Sequence, residues 1–208
     1  MNKKDLALVT VIGGAVGLLA QPILTNFTGE IHAILPAPYG VIRMGVFVCF
    51  LLLSPFALWI ASILGKKISA LYQFAKFAAV GSLNSFVDLG AFNLLTMLWG
   101  GVPTSLIFAG FKAMSFLAAT TNSFFWNKHW TFESSDKADA GQVAKFYSIA
   151  ISGGVLNVLA ATAIKAFGDS AGLPVNLWGN VVAPIGGIFS ALLWNFWGYK
   201  FFVFKKPV

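Results

Sequence analysis

Apolar residues run along this chain in long blocks, each interrupted by isolated polar positions and separated from the next by short basic or proline-containing connections. The blocks at 6–24, 43–65, 74–99, 104–126, 145–167 and 177–199 are long enough, at about 1.5 Å per helical residue, to cross a hydrocarbon core ~30 Å thick. Inside such a core each segment must satisfy its own backbone hydrogen bonds, which a helix does and an open strand does not. The pattern therefore predicts an all-α fold, a polytopic transmembrane helical bundle of about six spans. Lys3-Lys4 ahead of an apolar run has the outline of a secretory leader. Leu18-Leu19-Ala20, however, puts a large residue where cleavage needs a small one, so 6–24 is read as a span.

Composition supports this reading, with 58 % hydrophobic residues against 10 % charged and a mean hydropathy of +0.79. The formal charge of +7 does not point to a nucleic-acid partner, because the basic residues flank apolar spans instead of lining a soluble face. Lys3, Lys4, Lys66, Lys67, Lys76, Lys128, Lys137, Lys145, Lys200, Lys205 and Lys206 fall at the termini or in alternate connections. By the positive-inside rule those are cytoplasmic, which predicts a multi-pass protein of the cytoplasmic (inner) membrane with both termini inside. Cys49 stands alone within a span, so no disulfide framework exists and it reads as a packing residue.

The first hairpin, taken as a domain over 1–70, contains Gly13-x-x-x-Gly17, a spacing that lets helices approach closely, and Ser54-Pro55, which is expected to kink the second span. His32 has no second ligand at useful spacing and reads as a solvated loop residue. No metal or cofactor is expected.

From residue 71 to 208 the chain reads as one domain built from two similar hairpins, 74–133 and 143–205. Ala75-Lys76-Phe77 matches Ala144-Lys145-Phe146, Ser82-Leu83-Asn84 lies opposite Val155-Leu156-Asn157, and Lys128-His129-Trp130-Thr131-Phe132 lies opposite Lys200-Phe201-Phe202-Val203-Phe204. Each copy holds two spans, so the copies share an orientation and are related by an axis along the membrane normal. Their ends combine aromatic and basic residues, the signature of an interfacial belt with snorkelling lysines, and Lys128 and Lys200 are placed to meet lipid phosphates.

The strongest chemical signal is a carboxylate deep in the third span. A charge at the bilayer centre costs about 2.5–3.5 kcal/mol on insertion scales, so Asp88 is a functional-site candidate by default. Gly81, Asn84, Ser85 and Asp88 share one helical face at i, i+3, i+4 and i+7, and Ser105, Lys112, Ser115, Ala119 and Asn122 do so on the fourth span. Asp88 lies roughly 18 Å from the inner side and Lys112 roughly 13 Å from the outer side, so the two are level. We expect them to form a buried ion pair or to share a water-filled cavity, since either alone is a costly unpaired charge. A static, purely structural pair is the competing reading. The second copy has Ala161 and Pro184 at the equivalent positions, with Asn157, Asn180, Gly153, Gly154, Gly186, Gly187 and Ser190 giving a small, polar surface; Pro184 is placed to break its helix locally.

Asn127-Lys128-His129-Trp130-Thr131-Phe132, following a span, and Lys76-Phe77 with Val80-Gly81-Ser82-Leu83-Asn84 and Asp88 resemble the GtrA-like family over about two thirds of the chain. The second copy departs from the motif, with Tyr199 where Asn127 would stand. The resemblance implies a four-span unit that carries a polyprenyl-phosphate-linked sugar across the cytoplasmic membrane for cell-surface polysaccharide synthesis. It also implies a membrane glycosyltransferase as partner. On that reading the substrate-binding candidates are Asp88, Lys112, Asn84, Ser85, Ser115, Asn122, Asn127, Lys128, Asn157 and Lys200.

Two other functions compete. One is a scaffold that docks a glycosyltransferase through the aromatic-basic ends and the 133–144 loop; the other is a proton-coupled small-solute transporter using Asp88. No phosphate-binding Gly-x-x-x-x-Gly-Lys-Ser/Thr loop occurs, so nucleotide drive is not expected. No nucleophile-base pair accompanies Asp88, which argues against an enzyme. Two small hairpins per chain favour a homo-oligomer to enclose a path.

Overall fold

The computed structural model of the chain describes residues 1–26, 28–100, 104–134, 137–174, 178 and 182–204, and these are helical almost throughout. In chain order the helices are α1 (Lys3–Asn26), α2 (Thr28–Ile34), α3 (Tyr39–Leu64), α4 (Ser69–Trp99), α5 (Ser105–Trp126), α6 (Ala140–Ser170) and α7 (Ala183–Gly198). Two five-residue π-helical turns, π1 (Asn127–Thr131) and π2 (Tyr199–Val203), continue α5 and α7. Among the described residues, α1, α3, α4 and α6 contain segments long and apolar enough to cross a membrane by length and composition. The 22 residues of α5 rise about 33 Å, enough to span, and it is the polar residues Lys112, Ser115, Thr120, Thr121 and Asn122 that lower its hydropathy. Helix α7 has 16 described residues, with Pro184 in its first turn. The chain divides into two compact units, Met1–Thr131 and Phe132–Val208.

In the first unit α1 packs on α3 and α4, and α4 packs on α5. Val9, Ile12, Val16, Leu58, Val80, Leu83 and Trp130 form the buried core. The glycine spacing of α1 works as a packing device: a methyl on Gly13 would stand 2.8 Å from Ser54 Oγ, and one on Gly17 3.0 Å from the Phe47 Cα. Helix α3 runs continuously through Pro55. Cys49, expected inside the packing, is instead exposed. It lies on the outward side of α3, a helix apolar nearly all round, so its sequence pattern does not mark which face turns inward.

The second unit is the α6–α7 hairpin closed by π2. Its close approaches place amides against glycines. A methyl on Gly153 would stand 2.9 Å from Asn195 Cγ, and one on Gly187 2.5 Å from Asn157 Oδ1. Trp194 Nε1 donates to Ser152 Oγ at 2.9 Å. At the closed end Phe146 stacks on Tyr199 with centroids 4.0 Å apart, and Phe132 stacks on Phe204 at 5.2 Å. Tyr199, the residue that departs from the family motif, thus fills its unit's core.

Each unit contains the same closure. Gln73 Nε2 donates to Thr131 O at 3.2 Å, and Gln142 Nε2 donates to Val203 O at 3.1 Å. Each glutamine stands three residues before the lysine of the repeated Ala-Lys-Phe, and each acceptor is the last residue of a π turn. A helix end leaves carbonyls without intrahelical partners, and the amide supplies one.

Candidate functional site

The polar stripes of α4 and α5 meet as successive rungs of one hairpin. Starting from the lysine-rich end, Asn122 Nδ2 donates to Asn84 Oδ1 at 2.6 Å. One turn further on, Lys112 Nζ donates to Asp88 Oδ2, and Ser115 Oγ donates to Asp88 Oδ1 at 2.5 Å. Beyond these lie the edge-to-face pairs Phe92–Phe108, at 5.0 Å, and Trp99–Phe111, at 6.0 Å. Helical spacing places the groups: 84 and 88 are one turn apart on α4, while 122 and 115 are two turns apart on α5. Ser85 bonds the carbonyl of Gly81 on its own helix at 3.2 Å and stays outside the rungs.

Asp88 and Lys112 therefore meet, but not in the interior. Their side chains are 24 % and 50 % exposed, and the Lys112 ammonium lies 6.0 Å from the centroid of the Phe92 ring. Ser115 is fully buried and fixes the carboxylate from the protein side. The expected buried pair is a half-open one, because α5 turns Lys112 toward the outer edge of the stripe and Ser115, three residues on, toward the interface. Its arrangement is a carboxylate anchored on one side by a hydroxyl and a lysine reachable from the other.

The remaining candidates are scattered. Asn127 is fully buried, its amide donating to Ser123 O at 2.9 Å and to Ser123 Oγ at 3.1 Å, so it ties the start of π1 to the last turn of α5. Lys128 is only 4 % exposed, which corrects the expectation that it meets lipid phosphates: the π turn widens the helix and draws Asn127, Lys128, Trp130 and Thr131 inward. In the other unit Lys200 lies 5.5 and 5.6 Å from the Phe196 and Trp197 rings, and Asn157 packs on Gly187. Asn180 is outside the described residues. Near one end of α6, Lys165 and Asp169 form a 2.6 Å pair, both about half exposed.

A second charged cluster was not anticipated. Asp5 accepts from Lys76 Nζ at 2.8 Å, from Trp130 Nε1 at 2.8 Å and from Tyr72 Oη at 2.8 Å. The Asp5 and Lys76 side chains are 2 % and 7 % exposed. The ammonium of Lys76 also lies 5.1 Å from the Tyr72 ring centroid and 5.6 Å from that of Trp130. One signal for this cluster was present in the sequence. Asp5 heads the buried stripe Val9, Ile12, Val16 and Ala20 at helical spacing, so a carboxylate on that face had to find a cation.

The model of a family described as GtrA/DPMS, transmembrane domain, matches residues 76–204. An uncharacterised membrane protein of Bacillus subtilis (strain 168), YngA, is 30 % identical over 141 residues, covering 68 % of this chain and 83 % of the relative. No solved structure matches the chain.

Proposed function

This chain belongs to the GtrA/DPMS transmembrane family, which is associated with the handling of lipid-linked sugars, and from that premise we propose that it moves a polyprenyl-phosphate-linked sugar across the cytoplasmic membrane. The observation that carries the reading is the half-open Asp88–Lys112–Ser115 rung, a charged group set midway along membrane-length helices. An ion pair serving packing alone gains most from being sealed, because exposure to lipid raises the cost of each charge. Here Ser115 keeps Asp88 in place when Lys112 turns away, and Lys112 is exposed enough to take an anionic headgroup instead. The phosphate replaces the carboxylate on the ammonium, and the Asn84–Asn122 rung offers further hydrogen bonds one turn nearer the lysine-rich end. The test is leaflet exchange of a polyprenyl-phosphate sugar in liposomes containing the purified protein.

A second reading, a membrane scaffold for the glycosyltransferase that makes the lipid-linked sugar, is favoured by the exposed aromatic group on the α7–π2 end, where Trp197 stacks on exposed Phe201 at 5.4 Å. Co-purification of an intact transferase without leaflet exchange supports that role.

A further inference from the structure

A groove of ≈ 400 Å³ opens at the lysine-rich end of the first unit, lined by Lys4, Leu8, Phe125, Trp126, His129 and Trp130. Two of these residues belong to α1, which lies outside the region matched by the family. We propose that this groove binds the phosphate headgroup and first prenyl units of a polyprenyl-phosphate lipid, a site distinct from the Asp88 rung. The inference rests on the translocation reading, for which it supplies a loading position.

Charge is the first argument. Among the described residues, the lining contains a lysine, a histidine and two indole rings but no carboxylate. The acid next door, Asp5, is turned inward with both oxygens engaged by Lys76, Trp130 and Tyr72. The groove therefore presents the Lys4 ammonium and an imidazole N–H without a neutralising partner among its walls, a donor set suited to a phosphate.

Placement is the second. Of the five residues of π1, the turn draws four inward and leaves His129 exposed. The imidazole ring lies parallel to Phe125, with centroids 6.4 Å apart, and Trp126 meets Trp130 edge to face at 5.9 Å. The wall is stiff, because the Trp130 indole is bonded to Asp5, and the same bond fixes the turn of α1 that carries Lys4. Phosphate donors thus sit beside an aromatic and aliphatic surface. A prenyl phosphate matches that pairing: the charged head goes to Lys4 and His129, and the isoprene units lie along Leu8, Phe125 and Trp126.

The test uses the purified full-length protein in detergent, with retained lipid counted by native mass spectrometry. The probes are farnesyl phosphate, farnesol and phosphatidylglycerol, and the variants are Lys4→Gln/His129→Gln and, for the same loss of lysine charge away from the groove, Lys3→Gln. Both groove positions are exposed, so the double variant is expected to fold. The expected result is farnesyl phosphate binding that falls about tenfold or more in the double variant and is unchanged in Lys3→Gln, with farnesol and phosphatidylglycerol bound far more weakly. Equal binding of farnesol would make the groove merely apolar. Equal binding of phosphatidylglycerol would make it a bulk-lipid contact, and unchanged binding in the double variant would remove the site; each overturns the proposal. Binding as expected in a protein without leaflet exchange would keep the groove and remove translocation, so the two readings fail separately.

Discussion

Replacing Asp5 by Asn tests the energetics most sharply, because it removes a charge while preserving size and some hydrogen bonding. The Asp5–Lys76 pair is 2.8 Å long with side chains 2 % and 7 % exposed, so screening by solvent is slight. Breaking such a pair by neutralising one member costs about 3–5 kcal/mol. Single hydrogen bonds between membrane helices are worth about 0.6 kcal/mol on average and ~1.7 at most. Asp5→Asn is therefore expected to lower stability by about 3 kcal/mol or more, and Tyr72→Phe, which deletes one bond to the same carboxylate, by ~0.6–1.7. Lys3→Gln should stay within about 0.5 kcal/mol. The double change Asp5→Leu/Lys76→Met is expected to be less damaging than Asp5→Asn, since no charge is left behind. Unfolding of the purified protein by SDS titration in mixed micelles, followed by far-UV circular dichroism, orders the four variants. An Asp5→Asn protein no less stable than Tyr72→Phe would refute the claim that charge pairing ties α1 to α4 and π1.

Three further outcomes follow from the packing. Gly17→Leu should separate α1 from α3, costing about 1–3 kcal/mol as an overpacked contact, measured in the same titration. Gln73→Leu and Gln142→Leu should each cost about 0.5–1.5 kcal/mol and by similar amounts, because the two bonds are equivalent; a large difference in the titration would contradict the shared closure. Lys165→Gln should change stability by no more than about 0.5 kcal/mol, the worth of an exposed i,i+4 pair.

The long helices were legible because a bilayer leaves few choices of backbone structure, and a continuous apolar block of membrane length has one reading; the short α2, which holds His32, was not, because 25–42 reads as a connection between spans. Legible too was the meeting of Asp88 with Lys112: counting residues from the two ends placed them at one depth, and adjacent antiparallel helices did the rest. Its exposure was not legible. Depth along a helix is additive in sequence, whereas the direction in which Lys112 faces depends on how α4 and α5 are rotated about their axes, which packing sets. Lys128 went astray for a related reason. The sequence of 127–131 reads as an ordinary helix end, and the π turn shifts the angular position of every residue in it, burying the lysine and exposing the neighbouring histidine. Asp5 was visible only in retrospect, since its partners lie 67, 71 and 125 positions away. A residue near a terminus beside two lysines looks solvated until the stripe it heads is known to be buried.

Leaflet exchange measured side by side for the unaltered protein and for Asp88→Asn/Lys112→Met bears most directly on the proposed role of the half-open rung. The double change removes both charges together, so folding should be retained, as circular dichroism and gel filtration would verify. The account predicts that liposomes with the unaltered protein exchange a polyprenyl-phosphate sugar between leaflets and that the double variant, equally folded, does not. A folded double variant that exchanges the lipid at the unaltered rate would contradict it, leaving the pair a packing element and the headgroup without a partner at that depth.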